Sequence, residues 1–379
     1  MSVLNILEEK LAETKKQGRF REFLNLERGV QDKPWATSHG HHGERRLNVW
    51  CSNDYLAMSH HPKVLLATTE AVNRVGLGTC GARSISGTSV YHSELETLLA
   101  SAYGKESALL FTTGFGANDA TLSTLCDAIP DLIVFSDELN HASMIYGIRY
   151  SKAEKKIFRH NDVAHLAELL QAADPARPKL IAFESLYSMD GDFAPLAQIV
   201  ALAEQYQALT YLDEIHSAGV YGERGLGYAE QLGLLDKITI IQGGFGKSYG
   251  AAGGYIAAPR SVVEAVRSWA PAFVFSTSSP APVVAAALAS FKYNLEHDTQ
   301  RKHLLAIVDH LKTGLRAAGI PLVSADSHIL PLRVGDPHRN KHISQVLLDE
   351  HDIYVQPVNA PTVPAGSERL RVTPTSRSE

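Results

Sequence analysis

An aspartate, a histidine and a lysine follow the ends of two apolar runs. The run Leu209-Thr-Tyr-Leu-Asp213 delivers a carboxylate at its tip, and Glu214, Ile215 and His216 come next. The following run, Ile238 to Ile241, leads into Gly243-Gly-Phe-Gly246-Lys247-Ser248. A lysine in a small-residue loop after a buried strand can form a Schiff base with a carbonyl. A carboxylate across a site can keep a pyridine nitrogen protonated, and the ring then becomes an electron sink. Thr112-Thr113-Gly114-Phe115-Gly116 stands between the strand-like SALLF and the helical ANDATLSTL. There, backbone N–H groups at a helix start can hold a phosphate. Ser276-Thr277-Ser278 adds hydroxyls. Each feature has a plainer reading. A strand-end aspartate also caps helices, a lysine in a glycine loop is also a solvated side chain, and Thr113 also serves as an ordinary N-cap. Taken together they match what pyridoxal 5'-phosphate (PLP) requires of a protein.

These residues need elements to position them. Apolar runs occur at 107–111, 132–136, 179–184, 208–213 and 237–242, with helical patterns at 92–103, 163–173 and 195–206. Short apolar runs separated by helices predict a largely parallel sheet covered on both faces, with its site at the C-terminal ends of the strands. Leu4, Leu7 and Leu11 predict an amphipathic helix over 2–17, and a loop is expected from there to about residue 46. Beyond residue 290 the pattern changes. One charged helix over 290–317 is expected, then strands at 319–324 and 329–333, a helix near 341–351 and a last strand at 368–373. The predicted organisation is an N-terminal helix and arm (1–45), a large domain (46–290) and a small C-terminal α+β domain (291–379).

Composition narrows the function. The 379 residues are 45% hydrophobic and 20% charged, an ordinary globular balance. A net charge of -5 gives no nucleic-acid footprint. No apolar run reaches the roughly 20 residues of a membrane helix. Met1 to Gln17 lacks the apolar core of a signal peptide. Cys51, Cys80 and Cys126 lack metal-ligand spacing and read as reduced thiols of a cytoplasmic protein. His39-Gly-His41-His42-Gly43 reads as a solvated loop or as a metal site. No carboxylate or cysteine set accompanies it, so no metal is expected.

Longer strings carry a resemblance. They are Trp50-Cys-Ser-Asn-Asp-Tyr-Leu56, Asn140-His-Ala-Ser143, Glu184-Ser-Leu-Tyr-Ser-Met-Asp-Gly-Asp192, Asp213-Glu-Ile-His216, Gly246-Lys247 with Gly253-Gly-Tyr255, and Glu368-Arg-Leu-Arg-Val-Thr373. The chain resembles the α-oxoamine synthase family from about residue 2 to residue 375. That resemblance implies a fold type I PLP-dependent transferase, with a mostly parallel seven-stranded sheet sandwiched by helices and a small C-terminal domain. It implies the decarboxylative condensation of an amino acid with an acyl-CoA. The nearest branch uses glycine and succinyl-CoA. Other branches use a larger amino acid or another acyl-CoA, and an inactive homologue serving as a scaffold is the reading outside enzymes.

The resemblance also implies roles. Lys247 would hold PLP and move the Cα proton, and Asp213 would pair with the ring nitrogen. His216 and Ser188 would hold the ring near its phenolic oxygen, and His141 would stack on its face. Gly114 and Phe115 would bind the phosphate. Ser276 and Thr277 would reach that phosphate from a neighbouring subunit, which makes the enzyme a homodimer with a shared site. Arg371 would take the amino-acid carboxylate. Arg21 and Asn53 would lie near the substrates, and Ala82, Ser84 and Ile85 would line the substrate pocket. Departures from the pattern accompany these matches. Threonine is expected at Ala82, asparagine at Ser84 and a phosphate-binding threonine at Gly244, and the first two changes open the choice of amino acid and acyl group. The chain stops at Glu379, just past Thr375, where relatives continue, so a truncated small domain is expected.

Overall fold

The computed structural model describes residues 2–20, 23–32, 34–40 and 43–378. In chain order the strands are β1 (Leu26–Glu27), β2 (Trp35–Gly40), β3 (Gly43–Val49), β4 (Ser107–Phe111) and β5 (Ile133–Asp137). Next come β6 (Glu154–Phe158), β7 (Lys179–Glu184), β8 (Leu209–Asp213), β9 (Ile240–Gly244) and β10 (Gly254–Ala258). The last four are β11 (Leu330–Arg333), β12 (Ile353–Tyr354), β13 (Pro357–Val358) and β14 (Arg369–Val372). The chain divides into two compact units.

The larger unit, Asp54–Tyr187 with Phe193–Lys302, holds a seven-stranded sheet of order β4-β10-β9-β8-β7-β5-β6. β5 through β9 are mutually parallel, and β10 runs antiparallel to both neighbours. β7 is buried along its whole length, as a strand covered on both faces must be. One core side holds Leu110, Phe135, Ile181, Leu212 and Ile241, and the other holds Leu109, Val134, Leu180, Tyr211 and Ile240. Alternate residues of the same strands thus serve opposite faces.

The smaller unit, Met1–Asn53 with Ser188–Asp192 and His303–Glu379, has its own core of Leu330, Val355, Leu370 and Val372. It carries a sheet of order β1-β2-β3-β12 and another of order β11-β14-β13. The helix Val3–Lys16 starts at Ser2, whose side chain accepts the Asn5 N–H, and it buries none of its residues.

Several elements differ from expectation. β1, β2 and β3 occupy the segment expected to be loop, because Leu47 and Val49 are buried at period two while their neighbours are not. His39 and Gly40 end β2, and His39 approaches Glu27 (3.1 Å) and Glu44 (3.3 Å). His41 and His42 lie outside the described residues. The single helix expected over 290–317 is two, Ala281–Glu296 and Thr299–Ala317, because His297 adopts an extended backbone. Ala281–Glu296 packs on the helices Pro62–Val75 and Val90–Tyr103 and so stays with the large sheet. The division therefore falls after Lys302 rather than 290. Residues up to Asn53 join the C-terminal residues, because β3 pairs with β12. The strand expected over 237–242 starts only at Ile240, as β9, because Lys237 ends a short helical turn, Leu235–Lys237. Of the expected 319–324 strand, only an isolated bridge from Leu322 to Leu332 forms. No helix among the described residues is long and apolar enough to cross a membrane.

Candidate active site

In the larger unit the parallel strands end together. The sheet register pairs Glu184 with Asp213 and Asp213 with Gln242, so two carboxylates sit at one edge. Asp213 is buried at the tip of β8. Its Oδ1 accepts the Ile215 N–H (2.8 Å) and its Oδ2 accepts the Asn118 amide (2.7 Å). Burial pushes the Asp213 carboxyl up. The Asn118 and Ile215 donors pull it down, as do the His141 and Lys247 charges. A buried carboxylate of this kind gains most from a cation placed beside it.

His141 caps the helix Ala142–Arg149. Its Nδ1 meets Ser143 Oγ at 2.6 Å and the Ser143 N–H at 3.2 Å, and its backbone N–H donates to Glu184 Oε1 (2.5 Å). Burial pulls the imidazole below its ordinary range. Asp213 opposes that shift and Lys247 reinforces it. Burial, then repulsion from Asp213, pushes the Glu184 carboxyl well above its ordinary range. Buried His216 bonds through Nδ1 to Tyr55 OH (2.8 Å).

β9 ends at Gly244 and delivers half-buried Lys247 in a tight loop. The Phe245 N–H donates to Gly253 O (2.9 Å), and the Gly250 N–H donates to Lys247 O (2.9 Å). A Cβ at Gly250 would lie 2.0 Å from Ser59 N, and its φ is +61°, so glycine is required there. A Cβ at Gly244 would meet Ile215 Cδ1 at 2.8 Å, and one at Gly114 would meet the same atom at 2.6 Å. Ile215 thus fills the space where a side chain at 244 would go.

After β4, Thr113 caps the helix Gly114–Ala128. Thr113 Oγ1 takes the Gly116 N–H and Thr113 O takes the Ala117 N–H. The Gly114 and Phe115 N–H groups stand at the open first turn, where an anion is favoured. Phe115 is 46% exposed and meets the His141 ring edge-on at 6.4 Å. Ser276 and Thr277 line a cavity of about 30 Å³ with Arg83, His92, Thr112 and Gly116. Ala82 bridges to Thr277, while Ser84 and Ile85 are exposed on the same loop.

The smaller unit holds the remaining expected residues. Arg371 on β14 donates through Nε to Ser188 O (2.6 Å) and through Nη1 to Asn53 Oδ1 (3.0 Å). A cleft of about 800 Å³ is lined by Arg19, Phe20, Arg28, Cys51, Lys341 and Tyr354. Arg21 lies outside the described residues. Among the described residues no group of His, Cys, Asp and Glu gathers to hold a metal ion.

The larger unit's donor set fits PLP. A buried carboxylate suits a pyridinium, helix-start N–H groups suit a phosphate, and Lys247 suits the aldehyde. Sequence reading gave no site role to Asn118, Ser143, Tyr211, Glu184 or Tyr55, although all of them lie in the runs and strings quoted from the sequence. Two signals were available. Tyr211 precedes Asp213 by two along a strand and so shares its face, and Asn118 lies one helical turn after Gly114.

The architecture is that of fold type I PLP-dependent transferases. Residues 46–379 match the family Aminotransferase class I and II. The chain is 50% identical to 5-aminolevulinate synthase of Rhodobacter capsulatus, over 94% of this chain and 88% of that protein. It is 51% identical to that of Paracoccus denitrificans, over 97% of this chain and 91% of that protein. The backbone matches Sphingomonas wittichii serine palmitoyltransferase with a TM-score of 0.91 at 31% identity, covering 100% of this chain and 94% of that one. 8-Amino-7-oxononanoate synthase from Francisella tularensis shares the fold, with a TM-score of 0.74 at 24% identity over 88% of this chain and 93% of that one. The chain belongs to the aminotransferase class I and II family and, within it, to the family of the 5-aminolevulinate synthases.

Proposed function

We propose that this enzyme condenses glycine with succinyl-CoA, releasing CoA and carbon dioxide and forming 5-aminolevulinate. The observation that carries the reading is identity near 50% to 5-aminolevulinate synthases along nearly the whole chain. The chemistry at the strand ends agrees with it.

Bound PLP supplies an electron sink for charge developed at the amino-acid Cα. In this reading Lys247 carries the cofactor, then takes the Cα proton and later returns it. Asp213 keeps a proton on the ring nitrogen. His216, steadied by Tyr55, and Ser188 hold the ring near its phenolic oxygen. His141 covers one ring face and offers Nε2–H to the acyl carbonyl, where negative charge develops. Gly114 and Phe115 bind the phosphate through backbone N–H groups. Arg371, braced by Ser188 and Asn53, takes the glycine carboxylate with its planar fork. Arg21 is the proposed partner of the succinyl carboxylate, and Ala82, Ser84 and Ile85 bound the substrate pocket.

A homodimer is part of the proposal. Leu77, Ile85, Trp269 and Phe275 of the larger unit are large apolar side chains left exposed, Ile85 at 84% and Phe275 at 83%. A second copy covering Phe275 would also reach the adjoining Ser276 and Thr277. The proposed compartment is the cytoplasm, since Cys51, Cys80 and Cys126 are unpaired thiols.

The test is turnover of the PLP-loaded protein with glycine, alanine or serine against succinyl-CoA, acetyl-CoA or a long-chain acyl-CoA. Thiol release and product mass are followed. Turnover confined to glycine and succinyl-CoA is expected. Turnover only with a larger amino acid or an acyl-CoA lacking a carboxylate overturns the substrate assignment.

A further inference from the structure

Asn118 stands at the centre of a buried hydrogen-bond network joining three elements of the larger unit. It lies on the helix Gly114–Ala128 and is fully enclosed. Tyr211 OH on β8 donates to Asn118 Oδ1 at 2.7 Å. Asn118 Nδ2 lies 2.7 Å from Asp213 Oδ2 and 3.0 Å from Ser143 Oγ. The amide orientation follows from chemistry. An ionised carboxylate only accepts, so the NH₂ end must face Asp213 and the carbonyl must face the tyrosine hydroxyl.

The directions then propagate. Each hydrogen of the NH₂ group is used, one by Asp213 and one by Ser143 Oγ. Ser143 Oγ accepts from Asn118, so its own hydrogen is left for His141 Nδ1 at 2.6 Å. The Ser143 backbone N–H also points at that nitrogen, from 3.2 Å. Two donors converge on Nδ1, so the nitrogen must carry a lone pair, and the ring hydrogen sits on Nε2.

We propose that Asn118 is a positioning residue that holds Asp213 toward the cofactor ring and, through Ser143, fixes His141 as its Nε2–H tautomer. This rests on the reading that PLP binds between Asp213 and His141. One side chain sets both the partner of the ring nitrogen and the hydrogen available above the ring. The groups facing this pair are Glu184, which accepts the His141 N–H, the Ile215 N–H on Asp213, and Lys247, whose charge acts on both.

The experiment compares N118D, N118A and S143A in the full chain. N118D keeps shape and packing but offers one hydrogen at most, so it cannot serve both Asp213 and Ser143. Its expected PLP dissociation constant is about ten-fold higher than wild type, from loss of a charge-assisted bond. N118A behaves the same way or more severely. S143A leaves the Asp213 contact intact, so its PLP affinity stays near wild type. Its kcat falls, and the acidic limb of its pH profile moves to higher pH, because His141 Nδ1 loses a donor that favours the neutral ring. Should N118A fail to fold, N118D and S143A carry the test. Wild-type PLP affinity in N118D, or an unmoved acidic limb in S143A, overturns the inference. Failure of the wild-type chain itself to bind PLP would instead overturn the reading it rests on.

Discussion

Replacing His92 with glutamine is expected to make the protein less sensitive to acid. His92 is buried in the helix Val90–Tyr103 and completes its capping box. Its Nδ1 lies 2.8 Å from Ser89 Oγ and takes the Ser89 N–H at 3.2 Å. Burial, then the nearby Arg83 charge, pulls the imidazole down to about 4, against a small opposing effect from the Ser279 backbone. In the unfolded chain it titrates at the ordinary 6.5. Between those two values the unfolded state binds more protons. The stability gained from keeping His92 neutral is therefore complete above pH 6.5 and is lost as pH falls toward 4. From pH 7 to pH 5 the loss is about 2 kcal/mol. Glutamine at the same position can still take the Ser89 N–H, as capping boxes commonly do, but it does not titrate.

The assay is urea unfolding of wild type and H92Q at pH 7 and pH 5, at one protein concentration. The two should lie within about 1 kcal/mol of each other at pH 7. The drop to pH 5 should be smaller in H92Q by about 2 kcal/mol. Buried His328, pulled down to about 3, titrates in both proteins and cancels from the difference. Equal drops in the two proteins would show that His92 does not set the acid sensitivity.

Two other substitutions probe the site. Gly244→Thr alone should destabilise the protein by about 1–3 kcal/mol, because its Cβ meets Ile215 Cδ1 at 2.8 Å and Cγ1 at 3.0 Å. Adding Ile215→Val, which removes Cδ1 but keeps a carbon at the Cγ1 position, should recover part of the lost melting temperature and let the new hydroxyl tighten PLP binding. A stable single variant indifferent to residue 215 would contradict this packing argument. Arg371→Lys cannot meet both Ser188 O and Asn53 Oδ1 while still presenting a planar fork. KM for glycine should rise by about 10- to 100-fold, from loss of one charge-assisted bond. KM for the acyl-CoA should change little, and equal effects on both would argue against the assignment.

How much was legible depended on how locally each feature was encoded. β4 and β7 appeared at their sequence limits because Ser-Ala-Leu-Leu-Phe and Lys-Leu-Ile-Ala-Phe-Glu are nearly continuous apolar runs. β6 was missed as Glu-Lys-Lys-Ile-Phe, whose charges are tolerated at the sheet edge beside β5. β10 escaped because Gly-Tyr-Ile-Ala-Ala is short and follows the glycine-rich lysine loop directly. The break at His297 and the hairpin of β2 and β3 depend on tertiary partners that no local pattern announces. Asp213 and Lys247 were visible because each follows an apolar run. Asn118 was not, since its meaning comes from Tyr211, Asp213 and Ser143, brought together from two other elements. Ile215 was equally hidden, because its part in excluding a side chain at 244 appears only once β8 and β9 lie side by side.

Lys247 is the proposed carrier of PLP at the strand ends of this sheet. The most direct measurement is borohydride reduction of the PLP-loaded protein, followed by digestion and mass spectrometry. A single stoichiometric label on Lys247 is expected, with no label there in K247A and loss of turnover with glycine and succinyl-CoA in that variant. A label on another lysine, or full turnover in K247A, would contradict that assignment.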